Sequence, residues 1–178
     1  MKSVKELALC SIFIGLALVL SYVERFIPLQ LIIPLPGVKL GLANIITLVA
    51  LYLLGPKHCA IILVIRCFLG SLFGSGITGL MFSLTGGTFA LISMIITKNM
   101  KCFSMFGVSV IGAAFHHIGQ ILISMLLMES IYIGSYLPYL LIVGIFTALI
   151  IAIISSRVVI ALESNPKILK FKEDTKGE

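Results

Sequence analysis

Arg66 interrupts an apolar run, Cys59-Ala-Ile-Ile-Leu-Val-Ile-Arg66-Cys-Phe-Leu-Gly70. A guanidinium stays protonated, so within a membrane it must be paired, hydrated or occupied by a ligand. Placing it at the centre of a membrane helix costs about 2.5–3.5 kcal/mol on insertion scales. Other polar residues are set into neighbouring apolar runs: Lys39 and Asn44, Ser83 and Thr85 ahead of Gly86-Gly87, and His116-His117 with Gln120. Cations and amides of this kind recognise a carboxylate or phosphate; they do not by themselves make or break bonds. Acid–base and metal chemistry have little to work with. Of seven acidic residues, Glu173, Asp174 and Glu178 lie in a polar tail. His116 and His117 are neighbours that point about 100° apart, so they form no i,i+4 metal pair, and no metal site is expected. Cys10, Cys59, Cys67 and Cys102 show no C-x-x-C spacing and read as small buried hydrophobes.

The elements that carry these residues are membrane helices. The chain is 60% hydrophobic and 11% charged with a mean hydropathy of +1.20, far from the composition of a soluble domain. A span needs about 17–25 apolar residues, which gives six: 4–23, 38–54, 57–73, 77–97, 105–128 and 136–160. Gly55-Pro56, Gly74-Ser-Gly76, Lys98-Asn-Met-Lys101 and Gly134 with Pro138 punctuate them. The first run lacks an A-x-A-like cleavage site and reads as a retained helix. Residues 1–162 form one membrane domain, and 163–178 a polar cytoplasmic tail.

Charge predicts the orientation. With both termini cytoplasmic, the inner side holds Lys2, Lys5, Lys57, Lys98, Lys101, Arg157, Lys167, Lys170, Lys172 and Lys176, and the outer side only Arg25 and Lys39. The excess of positive charge therefore reflects plasma-membrane topology and gives no nucleic-acid signal. Counted at about 1.5 Å per residue, Asn44, Arg66, Ser83, Thr85 and Gln120 share the outer half of the bundle, with His116 one turn deeper. They lie below a segment, 24–37, that Pro28, Pro34 and Pro36 keep from being helical. This is the pattern of a pocket open to the outside. Arg25, Pro34, Pro36 and Gly37 would form its lid, or a plain interfacial loop.

Each polar residue also has a packing alternative. Ser83 and Thr85 can bond back to their own helix, Gly86-Gly87 can permit close helix approach, and Asn44 and Gln120 can join helices. At most one of the two histidines faces the pocket. For Arg66 no acid lies at matching depth, the nearest being Glu24 and Glu129 at the outer boundary. Gly74-Ser-Gly76-Ile-Thr-Gly79 fits G-x-G-x-x-G but joins two membrane helices, so it predicts a tight outer turn and no nucleotide site.

Pro34-Leu-Pro-Gly37-Val-Lys39-Leu-Gly-Leu-Ala-Asn44, Leu54-Gly-Pro-Lys57, Arg66-Cys-Phe-Leu-Gly70-Ser, Ser83-Leu-Thr-Gly-Gly87 and Gly112-Ala-Ala-Phe-His116-His117-Ile-Gly-Gln120 together resemble the Gx transporter family. Its members are also labelled heptaprenyl diphosphate synthase component I. The resemblance implies a fold similar to the S components of energy-coupling factor transporters. Those have six helices, cytoplasmic termini and an outward pocket capped by the loop after helix one. It also implies a docking stripe on helix one, here Ala8, Ser11 and Gly15, for which packing within the bundle is the alternative. Prenyl synthases hold diphosphate through Mg²⁺ on paired aspartate-rich motifs, and Asp174 is the single aspartate here, so the chain is not expected to be the catalytic subunit.

The expectation is an all-α, six-helix integral membrane protein that binds or transports a small anionic or amphipathic molecule. A vitamin-like cofactor, a flavin or an isoprenoid precursor would suit it. It has no enzymatic activity or resident cofactor, and it needs a membrane partner with an ATPase. The alternatives are a non-catalytic membrane subunit beside a soluble prenyl synthase, and a membrane scaffold of a redox assembly.

Overall fold

The computed structural model describes residues 4–26, 39–100 and 102–164, the side chains of Lys5, Arg25 and Ser75 excepted. The predicted lid residues Pro34, Pro36 and Gly37, and the tail from 165 onward, lie outside the described residues. The helices are α1 (Val4–Val23), α2 (Asn44–Leu53), α3 (Pro56–Gly70), α4 (Gly76–Asn99), α5 (Met105–Leu127) and α6 (Leu137–Glu163). Short 3₁₀ turns follow α1 (Glu24–Phe26) and precede α6 (Ile131–Tyr136). Punctuation falls where glycine and proline dictate. Gly55 takes a φ of 83° that ends α2, and Pro56 opens α3, where a missing N–H costs nothing. Gly74 and Gly76, at φ of 105° and 62°, turn α3 into α4 as the glycine pattern predicted.

Among the described residues, five helices are long and apolar enough to cross a membrane. Their outward residues, among them Leu16 and Val19 on α1, Ile92 and Ile96 on α4, and Ile142 and Phe146 on α6, are apolar and exposed, as a lipid-facing surface requires. The second predicted span, 38–54, is corrected. Gly41, at φ of 85°, turns the chain, and helix begins only at Asn44. At ten residues α2 is about 15 Å long, half of a hydrocarbon core. Nine of those ten residues are buried, and α2 packs against α1, α3, α4 and α6. Hydropathy cannot separate such an internal peg from a lipid-facing span, because both are uniformly apolar. Non-helical backbone before Asn44 is tolerated because protein surrounds it.

Around α2 the main core gathers Leu48, Leu51, Ile62, Met94 and Ile151, and a smaller cluster at the other end joins Leu40, Phe82, Ile121, Ile133 and Leu140. Lys98 ties α4 to the C-terminal end of α2. Its Nζ donates to the Leu51 carbonyl at 2.7 Å and lies 4.7 Å from the centre of the Tyr52 ring. A cation there answers both the open carbonyls and the helix dipole. Lys98→Met keeps the stem and removes the charge. It is expected to cost about 2 kcal/mol, read as a lower Tm in nanodiscs.

Candidate functional site

The N-terminal end of α2 opens on a small buried cavity of about 20 Å³, lined by Ser21, Glu24, Lys39, Gly41, Ala43, Asn44, Arg66, Ser83 and His116. Five stretches of chain meet there: the end of α1, the turn before α2, and α3, α4 and α5. Ten residues of helix raise Asn44 on α2 and Arg66 on α3 by about 15 Å above the Gly55-Pro56 turn, which is why they share a level. The glycines of α4 bring the walls together. A Cβ on Gly87 would lie 2.5 Å from Leu63 Cδ1 and 3.5 Å from a terminal guanidinium nitrogen of Arg66. A Cβ on Gly86 would meet the His116 ring at 2.9 Å.

Arg66 is 8% exposed, and its Nε has no hydrogen-bond partner among the described residues. The same holds for Asn44 Oδ1 and His116 Nδ1. Buried polar atoms are nearly always satisfied, so three orphans on one cavity call for a ligand or water. Lys39 Nζ donates to Ser83 Oγ at 2.9 Å, which places its charge on the same cavity.

Gln120 joins neighbouring segments of chain and does not line the cavity. It is fully buried. Turned to suit its neighbours, its amide oxygen accepts from the Lys39 backbone N–H at 3.2 Å and from His116 Nε2 at 3.0 Å, while its NH₂ donates to the Lys39 carbonyl at 3.2 Å. The amide also lies 3.4 Å from His117 Nδ1. Gln120 therefore positions Lys39 and His116. The histidine question is resolved by the same network. His116 lines the cavity, with its Nε2 3.0 Å from the Gln120 amide. His117 turns to α6, where a Cβ on Gly144 would lie 2.6 Å from its ring.

Thr85 is not brought to the cavity; its hydroxyl donates to the Met81 carbonyl on its own helix at 2.6 Å. Gly86 makes room for His116. On α1, Ala8, Ser11 and Gly15 are exposed, and nothing lies within 4 Å of a Cβ at Gly15. Arg25 begins the lid segment, but its side chain lies outside the described residues.

Glu24 is the residue that the sequence reading missed. It was placed at the outer boundary, above Arg66; it is 6% exposed and lines the same cavity. Its carboxylate accepts a hydrogen bond from the Gly41 N–H. Burial pushes its carboxyl above the usual range, against the opposing pull of the Gly41 N–H, Lys39, the Leu42 N–H and Arg66. The available signal was its isolation, as one of two acids near the outer boundary, directly after an apolar run.

The chain belongs to the heptaprenyl diphosphate synthase component I family, whose family model matches residues 13–158. No curated protein and no solved structure matches it.

Proposed function

We propose that this member of the heptaprenyl diphosphate synthase component I family is a membrane-embedded binding component with no catalytic activity of its own. Its ligand is a small anionic or amphipathic molecule, of the kind of a vitamin-like cofactor, a flavin or an isoprenoid precursor. The observation that carries this reading is Arg66, a buried cation whose Nε has no partner among the described residues, on a cavity shared with Lys39, Asn44 and His116. Arg66 and Lys39 hold the anionic group, and Asn44 and His116 orient its polar edges. Gln120 and Ser83 set the position of Lys39. The positive end of the α2 dipole points at the same place, as at the broken helices of transporters.

In this reading the plasma membrane is crossed six times, with α2 and the segment before it making the second passage and both termini cytoplasmic. An energised membrane partner and ATPase then drive release. The exposed Ala8, Ser11, Gly15 stripe supports docking on α1. Gly15→Leu fills open space, so it is expected to leave Tm unchanged and to abolish co-purification of the membrane partner. Loss of Tm instead would return the stripe to packing.

A second reading has a specific observation in its favour, the family description itself. In it the chain is the membrane subunit of a prenyl diphosphate synthase and presents an isoprenoid diphosphate to a soluble catalytic partner. Mass spectrometry of ligand extracted from the purified protein tests the shared core: one compound, near stoichiometric, is expected. Co-purification of an ATPase–transmembrane pair supports transport, and that of an aspartate-rich soluble synthase supports the subunit. If no compound is retained, both fail.

A further inference from the structure

The cavity has the volume of about one water molecule, so a larger ligand enters only if a lining group gives way. Of the lining residues, one carries negative charge. Glu24 faces the cations Arg66 on α3 and Lys39 before α2, and His116 on α5 is the remaining titratable lining residue; α4 contributes Ser83. We propose that Glu24 is the chain's own anion in this site, and that an anionic ligand binds by taking its place opposite Arg66 and Lys39 while Glu24 takes up one proton. This rests on the anion-binding reading of Arg66 and adds proton coupling to it.

The chemistry balances simply. The Glu24 carboxylate gains a proton from solvent, the ligand enters as its anion, and no other bond forms or breaks. The protonated carboxyl, displaced from the cations, has an O–H that can donate to a ligand oxygen. Two anions left side by side in so small a cavity would repel each other, so the pair sheds one charge. The carboxyl already sits above the usual range because it is buried, which lessens the cost of that proton.

The test uses inorganic sulfate, whose charge is constant between pH 5 and 8, and full-length protein in phosphatidylcholine nanodiscs. Titration calorimetry in buffers of different ionisation enthalpy counts the protons taken up. In wild-type protein, affinity is expected to rise up to tenfold for each unit the pH falls, levelling once Glu24 is protonated in the free protein. About one proton should enter per sulfate. Glu24→Gln should bind sulfate more tightly at pH 8, with no slope and no proton uptake, and His116→Asn should keep the slope. A protonated-carboxyl infrared band appearing when sulfate is added to wild-type protein would support the proposal without any variant. The proposal is overturned if Glu24→Gln keeps the wild-type slope, or if the slope disappears in His116→Asn. If wild-type binding is lost in Arg66→Met yet is independent of pH, the anion site stands and the coupling falls. If sulfate binds at no pH, both fall.

Discussion

Arg66→Met is expected to weaken binding of the anionic ligand by at least about 100-fold, with little change in Tm. The two halves of this expectation have different causes. Truncating one partner of a buried charge contact costs about 3–5 kcal/mol, and each 1.4 kcal/mol is about a factor of ten in affinity. The unliganded fold loses less, because Lys39 also lies on the cavity with Glu24. The guanidinium Nε has no partner among the described residues, while its burial carries a desolvation cost. Methionine keeps an unbranched apolar chain at this position. Lys39 stays to balance Glu24. Arg66→Lys should recover part of the affinity as a point charge, but not the planar, forked recognition. Ligand affinity and Tm are to be measured together. Retained affinity with a falling Tm would make Arg66 a structural cation and remove the basis of the proposed function.

Gly119→Ala is expected to damage both properties. A Cβ at Gly119 would lie 3.0 Å from the Gly86 Cα and 3.0 Å from the Thr85 carbonyl oxygen. Both are backbone atoms, so no rotamer change relieves the contact, and α4 and α5 must separate. Overpacking of this kind costs about 1–3 kcal/mol, seen as a lower Tm. Because His116 and Gln120 flank Gly119 on α5, the separation also shifts the groups that hold Lys39, and affinity falls with stability. Gly112→Ala is the comparison. Its Cβ would meet only the Met94 side chain, the methyl at 2.3 Å and Cγ at 2.7 Å, an unbranched chain that relieves the contact by changing rotamer without moving a backbone. A smaller loss there than at Gly119 is expected; equal losses would mean that backbone contact is not what sets the α4–α5 distance.

Much of this was legible in the chain. Leu7 to Val23 and Pro138 to Ile160 are apolar over a full membrane thickness, and no packing detail is needed to make them helices in lipid. Gly55-Pro56 and Gly74-Ser-Gly76 stated their turns through φ alone. Arg66, Asn44 and His116 could be drawn together because helix rise converts residue number into depth. The reading failed where depth depends on how the chain bends. Gly41 stops the helix that hydropathy extended back to 38, and Glu24 reaches below the boundary that its position after α1 implied. Direction around a helix was left open. Of the alternatives the sequence offered, Thr85 bonds to its own helix and Gln120 grips the backbone of Lys39.

By itself, then, the sequence determined the solvent this protein lives in and the glycine and proline turns between its helices. These follow from composition and from local backbone preference, which act along the chain. Only the tertiary structure decided that α2 is a buried half-length peg, that His116 and not His117 faces the cavity, and that Glu24 shares it with Arg66. Those are decided by contacts between residues far apart in the chain: Glu24 with Gly41, Lys39 with Gln120, Gly86 with His116. Hydropathy carries no record of them.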